Sequence, residues 1–145
     1  MLMEILDAKW MLIPMAIQVA MTLFTYRITW NRRVSAVRNN EMDPLYFKTK
    51  SVGEATHHVK AADELLLNLF ENPVIFYAGC ITAIALDSVD AILIAIASIY
   101  VIGRILHANE MLGKNSIRRR FRPWVVSLFC LGFFWAWLLV RAFVL

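Results

Sequence analysis

Apolar positions along this chain collect into four long blocks separated by polar connections. Trp10 to Tyr26 runs 17 residues without a charge and Pro123 to Val140 runs 18, each close to the roughly 20 residues that cross a bilayer as helix. Two further blocks carry one charge apiece: Leu65 to Leu86 is broken only by Glu71, and Ala91 to Ala108 only by Arg104. The pattern predicts an all-α fold, an integral membrane four-helix bundle, as a single domain over residues 1–145. Its spans are expected at about residues 10–30, 61–86, 91–112 and 121–144. The acidic turn Asp87-Ser88-Val89-Asp90 is too short for anything but an antiparallel hairpin between the middle two. A polar stretch from Arg32 to His58, with Pro44 and Gly53 as breakers, predicts a loop over about residues 31–60 with a short helix.

Composition agrees and narrows the function classes. The chain is 60% hydrophobic and only 18% charged, with a mean hydropathy of +0.60. Such a chain cannot cover a soluble surface with polar groups, which excludes a soluble enzyme, a disordered chain and a secreted disulfide scaffold. Cys80 and Cys130 lie inside spans and behave as small apolar residues. His57-His58 and the distant His107 lack zinc spacing, so no metal site is expected. Glu4 and Asp7 precede the first apolar block and no small-x-small site follows it, so it is expected to stay as a span and not to be cleaved.

Charge sets the expected direction. Of the 15 Lys and Arg residues, all but Lys9 and Arg141 fall in or beside the two long connections, and the 87–90 turn has none. The positive-inside rule therefore places both connections in the cytoplasm and both termini outside, as in a bacterial inner membrane. Trp10, Trp124, Trp135 and Trp137 lie near span ends and suit interfacial anchoring. The run Arg118-Arg119-Arg120-Phe121-Arg122, directly before a span, reads as a topology signal or lipid-headgroup contact, and no nucleic acid is expected.

Ionisable groups inside the membrane carry the functional signal, because their desolvation is costly. Counted from the 87–90 turn, Glu71 and Arg104 sit within roughly 3 Å of each other in depth at 1.5 Å per residue, so a Glu71–Arg104 pair is expected. Spacing of three or four extends each into a stripe: Lys60, Glu64, Asn68, Glu71 on the second span, and Arg104, His107, Met111, Lys114 on the third. Facing stripes would line a polar pocket toward the basic connections; equally, they could be a structural pair tying the bundle together. Pro73 removes a backbone donor and frees a carbonyl near Leu69.

At these residues the chain resembles the MAPEG family, the membrane-associated proteins in eicosanoid and glutathione metabolism, and most of all its uncharacterised bacterial branch. The resemblance covers most of the chain and rests on three pieces in order: "NLFENPVIFY" with Asn68, Glu71 and Pro73, "GRILH" with Gly103, Arg104 and His107, and "LGKNSIRRRF" leading into the fourth span. It implies a homotrimer whose inter-subunit sites bind glutathione as co-substrate, with membrane lipid and a hydrophobic small molecule as the other partners. Asn68, Glu71, Arg104 and His107 match the family's ligand-holding positions, and Arg120 matches the thiol-activating arginine, with Arg118 or Arg119 as one-residue slips. Characterised members often have an arginine where this chain has Glu64 and a tyrosine where it has Met111. Glu64 would repel the carboxylates of glutathione, and Met111 cannot donate a hydrogen bond to a thiolate. The implied function is a glutathione-dependent transferase or peroxidase acting on hydrophobic electrophiles or lipid hydroperoxides. Its alternative is a non-catalytic trimer that keeps the scaffold. A proton-coupled exporter fits less well, because the first span holds no carboxylate.

Overall fold

The computed structural model describes residues 7–49 and 53–143; Glu4, and Lys50 among the basic residues counted in the first connection, lie outside them. Four long helices carry the fold: α1 (Leu12–Arg38), preceded by a 3-10 turn at Ala8–Met11, α3 (His57–Ala85), α4 (Ala91–Leu112) and α5 (Ile117–Phe143), with a short α2 (Tyr46–Thr49) in the first connection. All four are long and apolar enough to cross a membrane. Helix continues past both expected edges of the first connection, to Arg38 and from His57, so much of the stretch 31–60 is helical. Polarity marked where the apolar block ends, and a helix leaving the hydrocarbon can continue into water with polar residues.

Helix ends are set by local chemistry. Asn40 and Asp87 stop α1 and α3 in the left-handed region, at φ 56° and 49°, a conformation that Asn and Asp tolerate better than most residues. Each stop closes a 6→1 bond of the Schellman type, from Glu41 N to Ala36 O and from Ser88 N to Ala83 O, both 2.9 Å. Asp90 then opens α4 as its N-cap, accepting from Leu93 N at 2.8 Å.

Buried residues form seams with steps of three and four. On α3 they include Ala62, Leu65, Leu69, Pro73, Phe76, Cys80 and Ala83; on α4, Leu93, Ala97, Tyr100, Arg104, His107 and Met111; on α5, Ser127, Leu131, Phe134 and Leu138. Lipid tails are as apolar as leucine, so close packing and interhelical hydrogen bonds must hold such a bundle. Phe76 stacks on Tyr100 with centroids 4.4 Å apart. Gly103 lets α4 approach α5 so closely that a Cβ there would sit 3.0 Å from Pro123 O. The outward faces remain apolar, with Leu67, Phe129 and Phe133 exposed, as contact with lipid requires.

The inward face of α1 is the reverse, polar at Gln18, Thr25 and Thr29. At its far end Arg32 donates to His58 O at 2.9 Å and to Leu112 O at 2.7 Å. Arg33 forks onto Asp63 Oδ1 at 2.9 and 3.1 Å. These bonds gather α1, the start of α3 and the end of α4. Opposite them, at the 87–90 turn, fully buried Asp90 accepts from Trp137 Nε1 at 2.9 Å and lies 3.5 Å from Arg141. Trp135 Nε1 likewise donates to Ile75 O, at 3.3 Å. Trp135 and Trp137, expected as interfacial anchors, thus give their polar edges to α3 and to the turn.

Candidate functional site

At the end of the bundle away from the 87–90 turn, a cavity of about 290 Å³ opens between α3, α4 and α5, lined by Glu64, Asn68, His107, Met111, Ile117, Arg120, Phe121 and Trp124. The first turns of α3 and the last of α4 supply its polar wall, because α3 and α4 run antiparallel and their i, i+4 stripes meet there. Phe121 and Trp124, stacked at 6.0 Å, belong to its apolar wall.

Each polar side chain is fixed by an identifiable contact. Asn68 Nδ2 bonds back to Glu64 O at 3.0 Å. His107, 6% exposed on the α4 seam, makes a 2.8 Å bond between Nδ1 and the backbone carbonyl of Arg120. A carbonyl only accepts, so Nδ1 carries the proton and a neutral ring keeps its lone pair on Nε2. That Nε2 is buried without a hydrogen-bond partner among the described residues. Arg120 donates from Nη1 to Asn115 Oδ1 at 2.8 Å and lies 4.0 Å from Glu64 Oε2. Its neighbours Arg118 and Arg119 are exposed and do not line the cavity.

Arg104 sits deeper on the same seam and is fully buried. Its Nη2 donates to Asn68 O at 3.3 Å, one residue before the carbonyl that Pro73 leaves without a donor. Nε and Nη1 have no partner among the described residues. No ion pair joins Arg104 to Glu71 among them, contrary to the expected pair. Glu71 lies two residues beyond Leu69, about 200° around the helix from the seam, and is exposed. Depth was the right coordinate for one axis only; the helix face turns the carboxylate outward.

The structure therefore brings Asn68, His107 and Arg120 into one cavity, places Arg104 against it through the Asn68 backbone, and leaves Glu71 outside. Glu64, expected on the pocket-lining stripe of the second span, does line the cavity and is the ionic neighbour of Arg120. Asn115 was missed altogether. Its signal was present in the sequence, since an asparagine five residues before a candidate arginine, in a helix-ending "GKNS", is placed to turn the chain and accept from that side chain.

The MAPEG family model matches residues 8–140, which takes in nearly all of the four long helices and every residue of this cavity. The chain belongs to the MAPEG family. No curated protein and no solved structure matches it. As a MAPEG protein it is an integral membrane protein, with the four-helix bundle described above, in contact with lipid. Within that bundle the cavity pairs hydrogen-bonding groups and a cation with aromatic and thioether walls, an arrangement that can hold a small polar molecule while a hydrophobic one approaches from the bilayer.

Proposed function

We propose that this MAPEG protein is a glutathione-dependent transferase or peroxidase acting on hydrophobic electrophiles or lipid hydroperoxides. The observation that carries the reading is the convergence of Asn68, His107 and Arg120, from three different helices, on one cavity. Glutathione is the co-substrate, held by Asn68 and His107 in the cavity, with Arg104 fixing the Asn68 backbone behind it and Glu71, on the outer face of α3, serving the site of a neighbouring copy. A thiol has a pKa near 8.5, so it is mostly protonated at neutral pH, and a guanidinium within hydrogen-bond reach raises its thiolate fraction. Arg120 supplies that charge, near the start of α5 where the helix dipole is also positive. The thiolate then attacks an electrophilic carbon, forming the C–S bond as a leaving group such as a halide departs with its electron pair, or attacks a hydroperoxide oxygen, breaking the O–O bond to give a sulfenic acid and an alkoxide that takes a proton from water to become the alcohol.

The working form is a homotrimer. At about 290 Å³ the cavity of one protomer is at the lower edge of ligand pockets, which span roughly 300–1,000 Å³. The outward-facing Glu71 is available to a neighbouring copy. The basic connections face the cytoplasm and the 87–90 turn faces outward, in a bacterial inner membrane.

A non-catalytic trimer is the second reading. The Glu64 carboxylate beside Arg120 and the absence of a hydroxyl at Met111 favour it. Calorimetry with glutathione on the detergent-solubilised protein, followed by conjugation of a generic aromatic electrophile, separates the two. Binding and turnover support the enzyme, binding without turnover supports the scaffold, and no binding overturns the glutathione reading.

A further inference from the structure

Glu64 and Arg120 are the two opposite charges of a single cavity, 4.0 Å apart. Lys60, one turn before Glu64, is engaged elsewhere, with Glu54 Oε2 at 3.5 Å. Asn115 holds Arg120 from its other side. Any anion drawn to Arg120 must therefore share it with a carboxylate that belongs to the protein. Two negative charges that share one guanidinium repel each other, more strongly in a half-shielded cavity than in open water.

We propose that Glu64 is a specificity-determining residue of this site: as the internal counter-ion of Arg120, it biases the cavity against thiols that carry carboxylates. This rests on the reading of the site as a thiol-binding one and deepens it by naming the charge class preferred. Glutathione brings two carboxylates and one ammonium, so it meets both an attraction and a repulsion here. A thiol of the same shape with its carboxylates esterified escapes the repulsion, and an ammonium group gains Glu64 as a partner. Partial exposure of the pair screens the effect without removing it, since Glu64 keeps a 60% exposed side chain and Arg120 only 28%.

The test is the ratio of dissociation constants for glutathione and glutathione diethyl ester, measured by calorimetry in detergent on the full chain and on Glu64→Gln. Taking a ratio within each protein cancels any loss of folded fraction. Glu64→Gln is expected to shift that ratio about tenfold toward glutathione. Glu64→Asp, which keeps the charge, is expected to leave it near the unsubstituted value, and added salt to shrink the difference between the full chain and Glu64→Gln. A ratio unchanged by Glu64→Gln, or shifted toward the ester, overturns the role of Glu64 and leaves the thiol site standing. Failure of both compounds to bind either protein overturns this inference together with the thiol reading.

Discussion

Arg104 reaches across the α3–α4 contact to the backbone of Asn68, with Nη2 donating to the carbonyl oxygen at 3.3 Å. A buried guanidinium thus holds the main chain of the cavity wall, next to the segment that Pro73 loosens. Glu71, at the same depth, takes no part in that contact. Substituting Glu71 with Gln in a detergent-solubilised monomer is accordingly expected to change stability by no more than about 0.5 kcal/mol. Thermal unfolding of monomer and assembled protein provides the check. A large loss confined to the assembled form would mean that a neighbouring copy buries this carboxylate.

His107 ties α4 to α5 through the Arg120 carbonyl. His107→Leu fills similar space without the bond and is expected to cost about 1–3 kcal/mol, because the carbonyl is left without its donor. His107→Asn, whose amide can still donate from a short side chain, should lose less. Chemical unfolding followed by tryptophan fluorescence measures both.

At the opposite end, Asp90 satisfies the start of α4, the Trp137 indole and the neighbourhood of Arg141 at once. Asp90→Ala is expected to destabilise by about 3–5 kcal/mol, since it strands a mostly buried arginine as well as removing a cap. Trp137→Phe removes one hydrogen bond and should cost about 0.5–1.5 kcal/mol from that bond. Comparable losses in the two variants would show that Arg141 does not depend on Asp90.

Gly103→Leu should be poorly tolerated, because even a Cβ would meet the Pro123 carbonyl oxygen at 3.0 Å and Ser127 Cβ at 3.3 Å. Overpacking of this kind costs about 1–3 kcal/mol or more. Gly132, where nothing lies within 4 Å of an added Cβ, serves as the control. Equal behaviour of Gly103→Leu and Gly132→Leu in thermal unfolding would remove the close approach of α4 and α5 as a determinant of the fold.

Alanine at Arg118, Arg119 and Arg120 should separate one position from its neighbours. Under the proposed chemistry Arg120→Ala lowers conjugation about 100-fold or more, the scale of losing one preorganised electrostatic group, while assembly is retained. The exposed Arg118 and Arg119 should change it little. Equal, small effects at all three would assign the run to topology and headgroup contact alone.

The sequence by itself determined the number of long helices, their order and the hairpin at 87–90. Apolar runs of bilayer length with at most one charge call for spanning helices, and a four-residue turn permits only one relation between neighbours. It also placed the chemistry on two stripes, because i, i+4 spacing is a property of the helix alone. Only the tertiary structure decided which stripe residues meet. The face of α3 that turns inward is fixed by Leu65 and Leu69, packed with Ala108 and Met111 of α4 and Met21 of α1, and by Phe76 against Tyr100 of α4 and Phe134 of α5, and that rotation carries Glu71 out while leaving Asn68 at the cavity. Rotation is hard to read in a membrane protein, since outward and inward faces are both apolar and hydrophobic periodicity loses its contrast. The Glu64–Arg120 contact was invisible for a related reason: it joins residues from α3 and α5, and their separation is set by how α4 and α5 close over Gly103, a fact of packing that no spacing along the chain encodes.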